Sequence, residues 1–137
     1  MDVGELIEAA RPRILYTLRV LAELLETSFP HHAAALRGEI TGTRMTTDRW
    51  NRVAAALKSI ESVPGNLLLR EEWDVRAPAL SAVAIAQLMA RASMGRYYPE
   101  SAVETALFLC DDILERVAAT AKSRGIMLKT TAAESKG

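Results

Sequence analysis

The chain has 137 residues, half of them hydrophobic and a quarter charged, with 17 basic side chains balancing 17 acidic ones. That length fits one domain able to bury a core unaided, and a net charge of zero argues against a dedicated nucleic-acid binder, whose affinity comes from neutralising many phosphates. The single cysteine, Cys110, excludes an internal disulfide framework and a cysteine-built zinc cluster.

Few aromatics and abundant alanine favour helices over sheets. Asp2 to Ala10 reads as a short opening helix, with Asp2 and Glu5 at capping-box spacing. Pro12 starts or kinks a stronger one, in which Ile14, Leu15, Leu18, Leu21, Ala22 and Leu25 form a stripe of helical period. Ser28-Phe29-Pro30 ends it. His31 to Arg37 is expected to make two further turns, and Gly38 to Thr47 a loop. Thr47 is then the expected N-cap of a helix from Asp48 to about Ser62, with Trp50, Val53, Leu57 and Ile60 on its apolar face.

Pro64-Gly65 stops that helix. The connection over residues 64–78 carries Leu67, Leu68, Leu69, Trp73 and Val75, so it is expected to lie on the core and bury some of them. Pro78 opens the stretch ALSAVAIAQLMARASM, residues 79–94, which is apolar nearly all round. A membrane span needs about 20 apolar residues. This run is shorter and polar-flanked, so it reads as a central core helix, with Ala82, Ala86 and Ala90 allowing close approach. Its polar strip is Gln87 and Arg91; a buried Arg91 would need a carboxylate, an exposed one would reach solvent. Gly95 and Tyr97-Tyr98-Pro99 close it.

A last helix from Pro99 to about Ser123 has one broad apolar face, including Val103, Ala106, Cys110, Ile113 and Val117, with Gly125 as its C-cap. The expectation is an all-α, four-helix-type bundle with one or two short extra helices. It occupies residues 1–128 as a single domain, followed by a disordered tail over 129–137. The N-terminus lacks the apolar core of a signal peptide, which predicts a cytoplasmic protein.

The polar arc of the last helix is the most informative surface. At about 100° per residue, Phe108 falls at its middle, surrounded by Glu104, Asp111, Asp112 and Glu115. An exposed ring supplies an anchor and the acids steer a basic partner, so these five residues are the expected partner-binding set. The competing reading leaves Phe108 covered by the 64–78 connection or a chain terminus. Residues 100–115 carry five acids and no base, while Arg37, Arg44, Arg49 and Arg52 lean basic; such lobes steer partners or favour head-to-tail self-association.

Other chemistry reads weaker. Asp111-Asp112-Ile113-Leu114-Glu115 resembles the acidic motif that binds magnesium in helical prenyl-diphosphate enzymes, but over five residues only. Glu23 and Glu26 with Asp112 and Glu115 resemble the magnesium site of small helical nucleotide pyrophosphohydrolases, which gives an enzyme alternative, a magnesium-dependent hydrolase. All four fall outside the apolar stripes, so the ordinary reading is a solvated charged face. His31 and His32 are adjacent, lack metal-sharing spacing, and read as surface or capping residues. Cys110 on an apolar face reads as an inert buried thiol. No catalytic, cofactor or metal-ligating residue is assigned.

The helix Trp50-Asn51-Arg52-Val53-Ala54-Ala55-Ala56-Leu57, the proline-bounded connection and the Ala-rich segments ALSAVAIAQLMARA and SAVETALFLCDDILERV together resemble small all-helical immunity proteins of bacterial polymorphic toxin systems. The resemblance spans about residues 13–121 and is one of pattern, without a diagnostic motif. It implies a protein that binds and blocks a cognate basic toxin domain, with no chemistry or cofactor of its own. A structural subunit of a homo-oligomer is a third reading.

Overall fold

The computed structural model describes residues 2–41, 44–62, 70–95 and 98–130, with the backbone alone at 70–72. The described residues form five α-helices, a 3₁₀ turn and no strand: α1 Val3–Leu25, α2 Pro30–Ile40, α3 Thr47–Lys58 continuing into the turn Ser59–Ser62, α4 Arg70–Ser93 and α5 Pro99–Arg124. The chain is all-helical. α4 packs against α1, α3, α5 and the 3₁₀ turn; α1 also packs on α2 and α5, and α2 on α3. Among the described residues no helix is long and apolar enough to cross a membrane.

The stripes read from the sequence are the faces that meet. Ile14, Leu15, Leu18, Leu21, Ala22 and Leu25 are buried on α1, as are Trp50, Val53, Leu57 and Ile60 on α3 and its turn. On α5, Ala102, Val103, Ala106, Cys110, Ile113, Val117 and Ala121 face inward. Asp2 caps α1, its carboxylate accepting from the Glu5 N–H at 2.8 Å.

Pro12, expected to start or kink a helix, and Pro78, expected to open one, both lie inside helices. The expected helix from Asp2 to Ala10 and the stronger one after Pro12 are a single 23-residue helix. A proline inside a helix removes one hydrogen bond and crowds the preceding turn. Here Leu6, Ile7, Ala10, Ile14 and Leu18 keep one face in register through Pro12, and all five contribute to the core. Burial of that continuous face outweighs the local penalty.

The same holds at Pro78. α4 begins eight residues earlier, so most of the expected connection is helix. Val75 is fully buried, Arg76 donates to the Glu61 carbonyl at 3.1 Å and stacks on Trp73, and Asp74 pairs with Arg124 of α5 at 3.4 Å. Trp73 is half-exposed, not buried. Leu67, Leu68 and Leu69, together with Pro64-Gly65, lie outside the described residues.

α4 also corrects the expectation of a helix with no wet face. Ala79, Ala82, Ile85, Ala86 and Met89 are fully buried. Ala77, Gln87 and Arg91 are exposed, and Leu80, Ser81, Ala84 and Leu88 only half-buried. These positions share one strip, wetted but built in good part of alanine and leucine, which hydropathy alone reads as core. Arg91 takes the solvent option.

The expected loop from Gly38 starts late, because α2 continues through Gly38-Glu39-Ile40 with Ile40 buried. Arg52 pairs with the Glu39 carboxylate at 2.9 Å, and Arg49 donates to the Glu39 carbonyl at 3.0 Å, tying α2 to α3. The α3 N-cap is Thr46, one residue before the expected Thr47. A Cβ added at Gly38 would meet nothing within 4 Å. Gly38→Ala is therefore expected to stabilise the protein by about 0.5–1 kcal/mol, since glycine inside a helix costs that much relative to alanine. Urea denaturation checks this, and a lowered midpoint would mean that residue 38 does not hold helical backbone in solution.

Candidate functional site

On α5, Val103, Ala106, Cys110 and Ile113 turn inward, which forces the residues between them outward. Phe108 is 73% exposed, so the described parts of the connection and of the C-terminal segment do not cover it. Glu104 and Glu115 are exposed beside it, and no hydrogen bond or ion pair engages either among the described residues. The other two acids of the expected set are already engaged. Asp111 pairs with Arg13 of α1, and Asp112 with Arg116 one turn on, at 3.0 Å. Both pairs are solvent-exposed and individually worth about 0–1 kcal/mol. They halve the acidic charge that a partner would meet.

The basic lobe is neutralised in the same way. Arg37 forks onto both carboxylate oxygens of Glu26, at 2.9 and 3.2 Å, and Glu39 takes Arg49 and Arg52. Three of the four arginines of the basic lobe and two of the five acids of the acidic lobe are thus paired within the fold.

Two exposed aromatics join Phe108 on this side of the molecule. Trp73 shares a hollow with Ala77 and Pro78 of α4 and Arg116, Ala119 and Thr120 of α5. Tyr98, 82% exposed, shares another with Leu88 and Arg91 of α4 and Ser101, Ala102 and Thr105 of α5. The α4 residues Trp73, Ala77, Leu88 and Arg91 repeat at helical spacing along one strip, so the two hollows are the ends of one α4–α5 seam. Phe108 stands on the crest of α5 between them. Neither Trp73 nor Tyr98 belongs to the expected set.

A second feature, at the end of α1, is missing from the sequence reading. Gly125, at φ 67°, turns the chain out of α5, and the Ile126 N–H bonds back to the Ala121 carbonyl at 2.9 Å. Ile126 and Leu128 then pack on the core while Met127 points out, 87% exposed. Glu23 of α1 receives the end of this strap: its carboxylate accepts from the Lys129 N–H at 2.7 Å, from the Thr130 N–H and from the Thr130 hydroxyl. The expected domain boundary at 128 therefore falls inside a docked segment. Residues 131–137 of the expected tail lie outside the described residues. Glu23, Glu26, Arg19, Arg37 and the strap line a cleft of about 620 Å³.

These contacts set the ionisation of the cleft. Burial alone would raise the pKa of Glu23, but the Thr130 hydroxyl, the two strap N–H groups and Arg37 outweigh it and hold the carboxyl below its usual 4.5. The Arg37 fork lowers Glu26 as well. A depressed carboxyl contributes stability that is present above its unfolded pKa and is lost as pH falls through the folded value. Acidification below about pH 4.5 is therefore expected to release the strap, with Glu26, Arg37, Arg19 and Lys129 the other charges around it. Amide exchange at Lys129 and Thr130 reports this. Protection that is independent of pH throughout the acid range, or that is already missing at neutral pH, would contradict the latch.

The carboxylates of the magnesium alternative are not gathered. Glu23 holds the strap, Glu26 holds Arg37 and Asp112 holds Arg116. Among the described residues no group of three His, Cys, Asp or Glu side chains is placed to hold a metal ion. His31 is exposed, and His32 packs edge-on against Phe29 at 5.7 Å. Cys110 is fully buried, and burial pushes its thiol up despite a hydrogen bond with Thr17 and the charge of Arg13. Its thiolate is correspondingly scarce.

Comparison with known proteins finds no matching family model, no significantly similar curated protein and no significantly similar solved structure.

Proposed function

We propose that this chain is a non-enzymatic protein–protein interaction module, acting in the cytoplasm as an immunity protein that binds and neutralises a basic bacterial toxin domain. The observation that carries the reading is Phe108, 73% exposed in a long helix and flanked by the carboxylates of Glu104 and Glu115, which are unengaged among the described residues. Interface anchors are typically aromatic side chains surrounded by contacts that exclude water, and unpaired acids at the rim select a cationic partner and speed encounter. Asp111 and Asp112 belong to the same surface and contribute through their pairs with Arg13 and Arg116. In architectural terms the helices form a four-helix-type bundle of α1, α3, α4 and α5, in which α4 is the central helix and α2 the short addition.

The test is affinity capture from the source cell, with the tagged chain and its Glu104→Lys/Glu115→Lys variant as baits. A stoichiometric basic partner on the first bait and not the second supports the reading. Equal capture by both removes this face from the interface. Reversal at Glu104 and Glu115 is the cleaner choice, because reversal at Asp111 or Asp112 would also break a contact inside the fold.

Self-association is a second reading, supported by the exposed rings of Trp73 and Tyr98 along the α4–α5 seam. It predicts a concentration-dependent dimer in light scattering that Trp73→Ser abolishes, and a monomer at every concentration would exclude it.

A further inference from the structure

The cleft at the end of α1 contains no residue of α5, so what it does is independent of the Phe108 face. Both of its carboxylates are occupied: Glu23 by three donors from the strap, Glu26 by the two-pronged contact from Arg37. Two cations in the same cleft are not. Arg19 is half-buried, and its guanidinium has no hydrogen bond or ion pair among the described residues. Lys129 spends its backbone N–H on Glu23, while its ammonium feels Glu26 only through space. A guanidinium carries five donors and an ammonium three, with no acceptor between them. The donors left over on this wall therefore call for an anion. Ile126 and the outward-pointing Met127 supply apolar surface next to them. The volume, about 620 Å³, lies within the range of small-molecule sites.

We propose that this cleft binds a small organic anion, a phosphate or carboxylate group carried on an apolar body, with Arg19 and Lys129 holding the charge and Met127 and Ile126 covering the body. The strap is part of the site, because it delivers both Lys129 and Met127. Ligand binding and strap docking are therefore coupled, and the ligand stabilises the docked strap.

Phenyl phosphate is the probe and benzylamine, of similar size and opposite charge, the control, each titrated into the full chain by calorimetry with melting temperature as a second readout. Saturable binding of phenyl phosphate with a raised melting temperature is expected, and no response to benzylamine. Arg19→Gln is expected to weaken binding by about tenfold or more, the loss of a charged hydrogen-bond donor. The melting point of the free protein should not move, since Arg19 has no partner to lose among the described residues. Glu23→Ala separates a strap-built site from a loose collection of surface cations. Removing a negative charge would strengthen the latter, whereas losing the latch displaces Lys129 and Met127 and weakens the former. No saturable binding, unchanged affinity in Arg19→Gln, comparable binding of benzylamine, or tighter binding in Glu23→Ala would each overturn the proposal.

Discussion

Trp50→Ala is expected to lower unfolding stability by about 3–5 kcal/mol, the range for removing a buried aromatic and leaving a cavity. Trp50 is 1% exposed and first by volume among the fully buried side chains. A domain of this kind has a total stability of about 5–15 kcal/mol, so the variant sits at the edge of unfolding. The indole N–H adds a twist: it is buried without a hydrogen-bond partner among the described residues. An unpartnered buried donor costs about 1–3 kcal/mol. Trp50→Phe discards that donor while keeping much of the ring, so it is expected to cost far less than Trp50→Ala. Urea denaturation of both variants decides the matter. A loss below about 1 kcal/mol in Trp50→Ala would mean that the ring is not in the core. Equal losses in the two variants would mean that a phenyl ring recovers none of the packing of the indole.

The apolar stripes of α1, α3 and α5 are legible because helical periodicity is a local signal and each stripe finds a partner of the same kind. The helix boundaries at Pro12 and Pro78 are not. Proline's penalty is also local, about 3 kcal/mol or more, but what opposes it is not. Leu6 and Ile7 before Pro12, and Val75 before Pro78, gain their burial from other helices, and only the assembled core reveals that gain. Alanine blurs α4 for a related reason. Ala84 and Ala86 look alike in sequence, yet Ala86 is fully buried and Ala84 lies on the wetted strip.

The candidate site divides along the same line. The exposure of Phe108 follows from helical register and is one of the two options the sequence leaves open. The state of its acids is not readable, because Asp111 meets Arg13 across 98 positions of sequence. Lys129 and Glu23 meet across 106. The one local trace of the strap is the alternation Ile126-Met127-Leu128-Lys129-Thr130, in which every second residue turns inward, and five residues of alternation are too few to distinguish a docked strap from a frayed end.

Phe108→Ala is expected to leave folding stability within about 0.5 kcal/mol of the parent chain, the usual range for a surface site. It should weaken the proposed complex by about 2 kcal/mol or more, roughly thirtyfold in Kd. The contrast between the two readouts carries the argument. A ring that is 73% exposed has little to lose on unfolding and much to gain in a partner's pocket. Its neighbours should behave differently. Glu104→Gln and Glu115→Gln act on exposed charges at the rim, so they are expected to slow association and flatten its salt dependence while changing dissociation little. Asp111→Asn also breaks the pair with Arg13, so part of its effect appears in the free protein. Calorimetry and stopped-flow kinetics on the captured partner separate these cases. Unchanged affinity in Phe108→Ala would remove the ring from the interface. A slowed association in Glu104→Gln would then still place the partner on this face of α5, docking by charge around a ring it does not cover.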